Sequence, residues 1–215
     1  AGVRQIDSWH YRQRILSFFG RVNYDYKSKY LLSLVLRRDG YSKLPKDNRW
    51  GTFPGISAGW VLSRENFMES CSNVLSYAKI RASYGANGNV SGVLDANGNV
   101  VTGLDYYTVQ GSYGIMKDKD GKIVPNYNGK VPLMINDLPN PTMRWEKSYT
   151  FETGFDIGFL NNKYILNFTY YNRRTQDKFA EITLPSHSGV SSFLSNNGEV
   201  QNQGMELELT ANVLR

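Results

Sequence analysis

WEKSYTFETGFDIGF, residues 145–159, alternates along its whole length. Its odd positions carry Trp145, Lys147, Tyr149, Phe151, Thr153, Phe155, Ile157 and Phe159; its even positions carry Glu146, Ser148, Thr150, Glu152, Gly154, Asp156 and Gly158. Successive side chains of a β-strand point to opposite sides, so this period of two describes one strand between an apolar and a polar environment. Strands of globular proteins run to about 5–6 residues. This one is more than twice as long.

The same pattern recurs on both sides of it. Residues 14–26 place Leu16, Phe18, Val22, Tyr24 and Tyr26 on one parity against Ser17, Arg21, Asn23 and Asp25. A turn at 27–29 leads to a second strand with Tyr30, Leu32, Leu34 and Leu36 on one side, ending at Asp39-Gly40. Residues 50–62 align Trp50, Ile56, Ala58, Trp60 and Leu62, with Pro54 predicting a bulge or weak pairing, because proline donates no ladder hydrogen bond. Residues 63–76 predict a short helical connector capped by Ser63. A strand from 77 to 85 opposes Ala78, Ile80, Ala82 and Tyr84 to Tyr77, Lys79, Arg81 and Ser83. Downstream of the central stretch, residues 160–163 predict a turn and residues 164–179 a strand. Residues 181–198 read as a Ser-rich loop, and 199–214 as a last strand with Met205, Leu207 and Leu209 on one face and Glu206 and Glu208 on the other.

Seven long strands therefore follow one another, and their connections differ in kind. Those at 27–29 and 160–163 are tight and that at 63–76 is compact, while 40–49, 86–144 and 181–198 are long or irregular. Short turns at one end and long loops at the other are the asymmetry of outer-membrane β-barrels. Trp50 and Trp60 share a face ten residues apart; at ~3.4 Å per residue and a tilt of ~40–45° they are separated by roughly 25 Å along the barrel axis, the height of the apolar band. Trp50, Trp60 and Trp145 are accordingly candidates for the aromatic girdles.

Composition agrees with this and excludes other classes. A mean hydropathy of −0.46 accompanies 15 Tyr, 10 Phe and 4 Trp in 215 residues. No run approaches the ~20 apolar residues of a membrane helix, whereas barrel strands leave little hydropathy signal. The net charge of +6 is scattered along the chain and does not form a nucleic-acid-binding patch. Cys71 has no thiol partner, and His10 and His187 have no acidic or thiol neighbour in sequence, so neither a zinc site nor a hydrolase triad is indicated.

The segments SFFGRVNYDYKSKYLLSLVLRRDGYSK, NRWGTFPGISAGWVLSRENFM, LSYAKIRASYGANGN, NPTMRWEKSYTFETGFDIGFLNNKY and NNGEVQNQGMELEL, in this order, resemble the SusC/RagA family of TonB-dependent outer-membrane transporters. The resemblance implies an all-β fold: an antiparallel transmembrane segment of about seven strands from a larger, 22-stranded barrel. It implies import of oligosaccharides or peptides, a SusD-like surface lipoprotein as lid, and energy from TonB through an N-terminal box. The 215 residues then read as a partial barrel domain from the later part of such a transporter. Plug, TonB box and final strand lie outside them, and 86–144 is an extracellular loop insertion. The competing reading is a soluble β-rich carbohydrate-binding module that uses the Tyr-rich loop.

Candidate sites follow from the face assignment. Glu152 and Asp156, four apart, have the residue types of a glycosidase pair, but on a lumen-facing parity carboxylates are ordinary pore lining, and no enzyme is expected. With Lys79, Arg81, Glu206 and Glu208 they are expected to face the lumen or the plug. Tyr106, Tyr107, Tyr113 and Tyr127 in the long loop are candidate ligand-stacking residues, with packing of the loop on itself or on a lid as the alternative. Asp118 and Asp120 before Gly121 resemble the start of a calcium loop but lack its acidic twelfth position, so a solvated hairpin tip is the reading and no cofactor is expected. Lys147 is expected to run its stem along the apolar face toward the interface.

Overall fold

The computed structural model describes residues 12–94, 100–102, 104, 108–117, 119–124, 128, 130 and 132–212. Strands β1 (Ile15–Tyr26), β2 (Tyr30–Tyr41), β3 (Trp50–Val61) and β4 (Leu75–Asn89) follow in order. Two small hairpins come next, β5 (Val93–Leu94) with β6 (Val100–Thr102) and β7 (Ser112–Ile115) with β8 (Leu133–Asp137). The chain then returns as β9 (Glu146–Phe159), β10 (Tyr164–Thr183) and β11 (Ser192–Ala211). The long strands form one antiparallel seven-stranded meander, β1-β2-β3-β4-β9-β10-β11. It is a sheet open at β1 and β11. Unpaired strand edges are not tolerated in hydrocarbon, so both edges call for further strands of a closed barrel.

Parity decides the two faces, and the register carries each face across the sheet. Leu34 is opposite both Val22 and Ile56, and Phe155 is opposite both Ile80 and Phe168, which is opposite Leu207. Along this outer face apolar side chains stand uncovered: Met205, Leu207 and Leu209 are 74%, 70% and 69% exposed. A soluble sheet buries such a face, so the carbohydrate-module reading finds no support here. Twelve residues at ~3.4 Å each and ~40° of tilt project to roughly 30 Å, enough to cross the ~25 Å apolar band.

The connections fall as the sequence predicts at one end. Lys27 and Ser28 take positive φ in the β1–β2 turn, where Asp25 accepts from the Ser28 N–H at 2.7 Å. Leu160, Asn161 and Asn162 do the same between β9 and β10. The 63–76 connector is helical, as two 3₁₀ turns, Leu62–Arg64 and Asn66–Cys71, but Ser63 lies inside the first and caps neither, the N-cap positions being Val61 and Glu65. Glu65 ties it down, accepting from Trp60 Nε1 at 3.1 Å and from Lys29 Nζ at 3.0 Å. These donors, Trp60 first, hold its carboxyl below the usual range.

Three boundaries differ from the sequence reading. β4 runs on to Asn89, so the long insertion begins later than 86. β10 extends to Thr183 and β11 begins at Ser192, so most of the expected loop 181–198 is strand and the loop proper is 184–191. The cause is a bulge at Thr175–Phe179, with Asp177 at φ 57°, which bends the hairpin and lets pairing continue beyond the membrane-spanning part. At Pro54 the expected weakness is present: β3 pairs with β4 only from Gly55 to Val61.

Above that point the gap is filled by a compact cluster of Tyr41, Leu44, Phe53, Leu104, Met143, Trp145 and Phe179. Phe53 sits so close to Gly88 that a Cβ there would come within 2.0 Å of its ring, which is why β4 carries glycine at that level.

Candidate functional site

The inner face of β4, β9, β10 and β11 collects most of the charge. In register, Lys79 lies opposite Asp156; Ser83 opposite Glu152, and Glu152 opposite Tyr171; Thr169 opposite Glu206, and Asn167 opposite Glu208. Arg81 is the hub. Its Nε lies 3.4 Å from Asp156 Oδ1, and its Nη2 donates to Thr169 Oγ1 at 2.6 Å across Gly154. Glu208 accepts from Asn167 at 3.3 Å. Lys79, Glu152 and Glu206 hold no hydrogen bond or ion pair with the described residues, and so present unpaired charges on the inner face. Arg81, Glu152, Tyr171, Arg173, Asn202 and Glu206 border a hollow of about 590 Å³, with a second of about 530 Å³ beside Lys79, Asp25 and Ser33. A surface with both signs of charge and adjacent aromatic and hydroxyl groups can hydrogen-bond a polar ligand or an apposed protein surface; it brings no nucleophile and base together.

At the ends of the outer face, aromatic rings gather in tiers. Tyr26 stacks on Tyr30 and Tyr30 on Trp60, each at 6.3 Å, beside the tight turns, while Phe18 stacks on Trp50 at 6.1 Å near the long loops. Trp50 and Trp60 are 40% and 38% exposed there. Trp145 corrects the sequence reading. It is 4% exposed, lies edge-on to Phe53 at 5.5 Å and Tyr41 at 6.3 Å, and donates through Nε1 to the Arg49 carbonyl at 2.9 Å. β9 begins at Glu146, so no ladder holds Trp145 to the lipid parity, and it turns into the cluster above the β3–β4 gap.

Glu146 is likewise no pore-lining group. It is buried and accepts from Asn89 Nδ2 and from the Phe179 N–H, both at 2.7 Å, joining the tops of β4, β9 and β10. Sequence parity gave Glu146 the polar face but not its burial. The available signal was the apolar residues on polar parities at this level, Tyr41 and Phe53, which mark a core where a pore wall would be polar.

In the insertion, Tyr113 lies on β7 opposite Ile135 and is 73% exposed. Tyr106, Tyr107 and Tyr127, and with them most of the proposed aromatic patch, lie outside the described residues, as does Asp118. Asp120 stands on the tip closed by the Lys117–Ile123 bridge. Among the described residues no three His, Cys, Asp or Glu side chains are grouped to hold a metal ion.

The family described as TonB dependent receptor-like, beta-barrel, matches residues 3–215. The chain belongs to the TonB-dependent receptor β-barrel family. TonB-dependent receptor P3 of Formosa agariphila is 34% identical over 211 residues, covering 98% of this chain and 19% of its own length. TonB-dependent receptor SusC of Bacteroides thetaiotaomicron is 32% identical over 212 residues, with coverages of 98% and 20%. The RagAB peptide importer in its open-open state superposes with a TM-score of 0.76 at 25% identity, over 94% of this chain and 20% of that one. The chain thus spans about a fifth of the relatives it matches, and its strands are those of a bacterial outer-membrane barrel. It is a TonB-dependent receptor segment of the SusC/RagA kind.

Proposed function

We propose that these residues form barrel wall and extracellular, ligand-capturing loops of an active importer of oligosaccharides or peptides. What carries the reading is a single arrangement: one continuous apolar face outside, a mixed-charge face inside, and the long insertion between β4 and β9 at the end opposite the two tight turns. The inner face then meets a plug or the passing ligand, with Arg81 holding Asp156 in place and Glu152, Glu206 and Lys79 left to bind. Tyr113, and the tyrosines near it in sequence, would contact ligand or a lid lipoprotein of the SusD type. TonB would act through a part of the protein beyond these residues. The relatives bear the names of receptors and importers, and we infer no catalytic role for the Glu152 and Asp156 carboxylates.

The test is uptake by cells carrying the full-length gene, with labelled oligosaccharide and labelled peptide offered separately. Import of one class should fall to the level of the deletion strain when TonB is removed. Uptake at an unchanged rate without TonB contradicts energised import, and uptake of neither class contradicts the substrate range.

A further inference from the structure

At the extracellular rim of the outer face, Arg14 and Arg38 have no counter-charge among the described residues. Arg38 on β2 lies with its guanidinium carbon 5.5 Å from the centre of the Trp50 ring and makes no hydrogen bond or ion pair with the described residues. Arg14 continues the β1–β2 ladder one step beyond Ile15, its carbonyl accepting from the Ser42 N–H at 3.0 Å, so it shares the parity of Leu16 and Phe18; its side chain also has no partner among those residues. Trp50 lies over Gly40, whose register level falls between those of Arg14 and Arg38, close enough that a Cβ at Gly40 would come within 3.0 Å of the ring, and Phe18 stacks with it at 6.1 Å. The outward parity of β1, β2 and β3 contains no Asp or Glu. Three other arginines at this end are neutralised, Arg37 by Asp39, Arg144 by Asp177 and Arg174 by Glu199, while Arg49 turns to the Leu44 carbonyl at 3.5 Å.

An arginine fork on an aromatic face keeps its N–H groups available at the depth where a bilayer places headgroups, and guanidinium matches phosphate geometry. We propose that Arg14 and Arg38, spaced by Trp50, bind the phosphate of an outer-leaflet lipid headgroup. Cationic rims of this kind draw anionic headgroups to a membrane protein. The assignment rests on the barrel's place in the outer membrane and not on what the transporter carries.

The full-length transporter in detergent micelles would be titrated with diphosphoryl lipid A, with the same lipid stripped of phosphate, and with inorganic phosphate, and bound species counted by native mass spectrometry. The phosphorylated lipid should bind, the stripped lipid should bind at least tenfold more weakly, and millimolar inorganic phosphate should neither bind nor compete. The R14Q/R38Q double variant should lose about tenfold in affinity for the phosphorylated lipid. Should the double variant fail to insert, R14Q and R38Q alone should each lose about threefold. Unchanged binding in these variants, or equal binding of the stripped lipid, overturns the site. Competition by inorganic phosphate overturns the lipid assignment in favour of a free-anion site.

Discussion

Trp145→Ala is expected to destabilise the barrel by about 3–5 kcal/mol, the range for truncating a buried aromatic to alanine. The ring is wedged between Phe53 and Tyr41, and its N–H meets the Arg49 carbonyl, so the substitution opens a cavity and removes one of the two hydrogen bonds to that carbonyl, which keeps the Tyr41 N–H at 3.1 Å. Trp145→Phe keeps most of the packing and gives up chiefly the hydrogen bond, with a net effect of about 1 kcal/mol beyond the lost area. Trp50→Ala and Trp60→Ala, at exposed positions on the outer face, should cost less. Urea unfolding of the full-length protein refolded in micelles, followed by loss of heat-modifiable gel mobility, measures all four. A Trp145→Ala loss no larger than that of Trp50→Ala would return Trp145 to the girdle.

Phe155→Arg is the second large effect. Phe155 stacks on Phe168 at 5.2 Å on the outer face. It lies four residues from the periplasmic end of β9, about 10 Å above the turn at ~3.4 Å per residue with ~40° of tilt. A cation there should cost ~2–4 kcal/mol and lower the yield of inserted protein. Asp156→Asn, one residue on, removes only a half-exposed pair with Arg81 at 3.4 Å and should change stability by ~0–1 kcal/mol. Quantifying folded protein in outer-membrane fractions compares the two, and equal tolerance would mean that the faces are wrongly assigned.

The faces and the ends of the sheet were legible in the sequence because each long strand is locked in a ladder, where parity leaves a side chain only two directions. The turns at Lys27–Ser28 and at Leu160–Asn162 were legible as polar interruptions of fixed length. Where the ladder stops, parity stops being informative. Trp145 and Met143 precede β9 and are free to turn inward, and Phe53 fills the space that Pro54 opens by ending the β3–β4 pairing. The height of the β10–β11 hairpin was hidden for a related reason. Its upper half has no lipid on one side to enforce alternation, and the bulge at Asp177 shifts the register, so a paired stretch reads as a Ser- and Asn-rich loop. On the inner face, the sequence showed which charges share a parity but not that Arg81 reaches across Gly154 to Thr169, since that depends on which strand lies two away.

The central claim is that β9 separates lipid from an aqueous lumen, and cysteine labelling along it is the direct test. In the full-length protein with exposed Cys71 first changed to serine, single cysteines at positions 151 to 157 would be exposed in intact outer membranes to a membrane-impermeant maleimide and to a lipid-soluble one. Apart from 154, kept as glycine because a Cβ there would come within 2.2 Å of the Phe168 carbonyl oxygen, positions 152 and 156 should react with the water-soluble reagent and 151, 153, 155 and 157 with the lipid-soluble one. Uniform labelling by the water-soluble reagent, or the inverse alternation, would contradict the account.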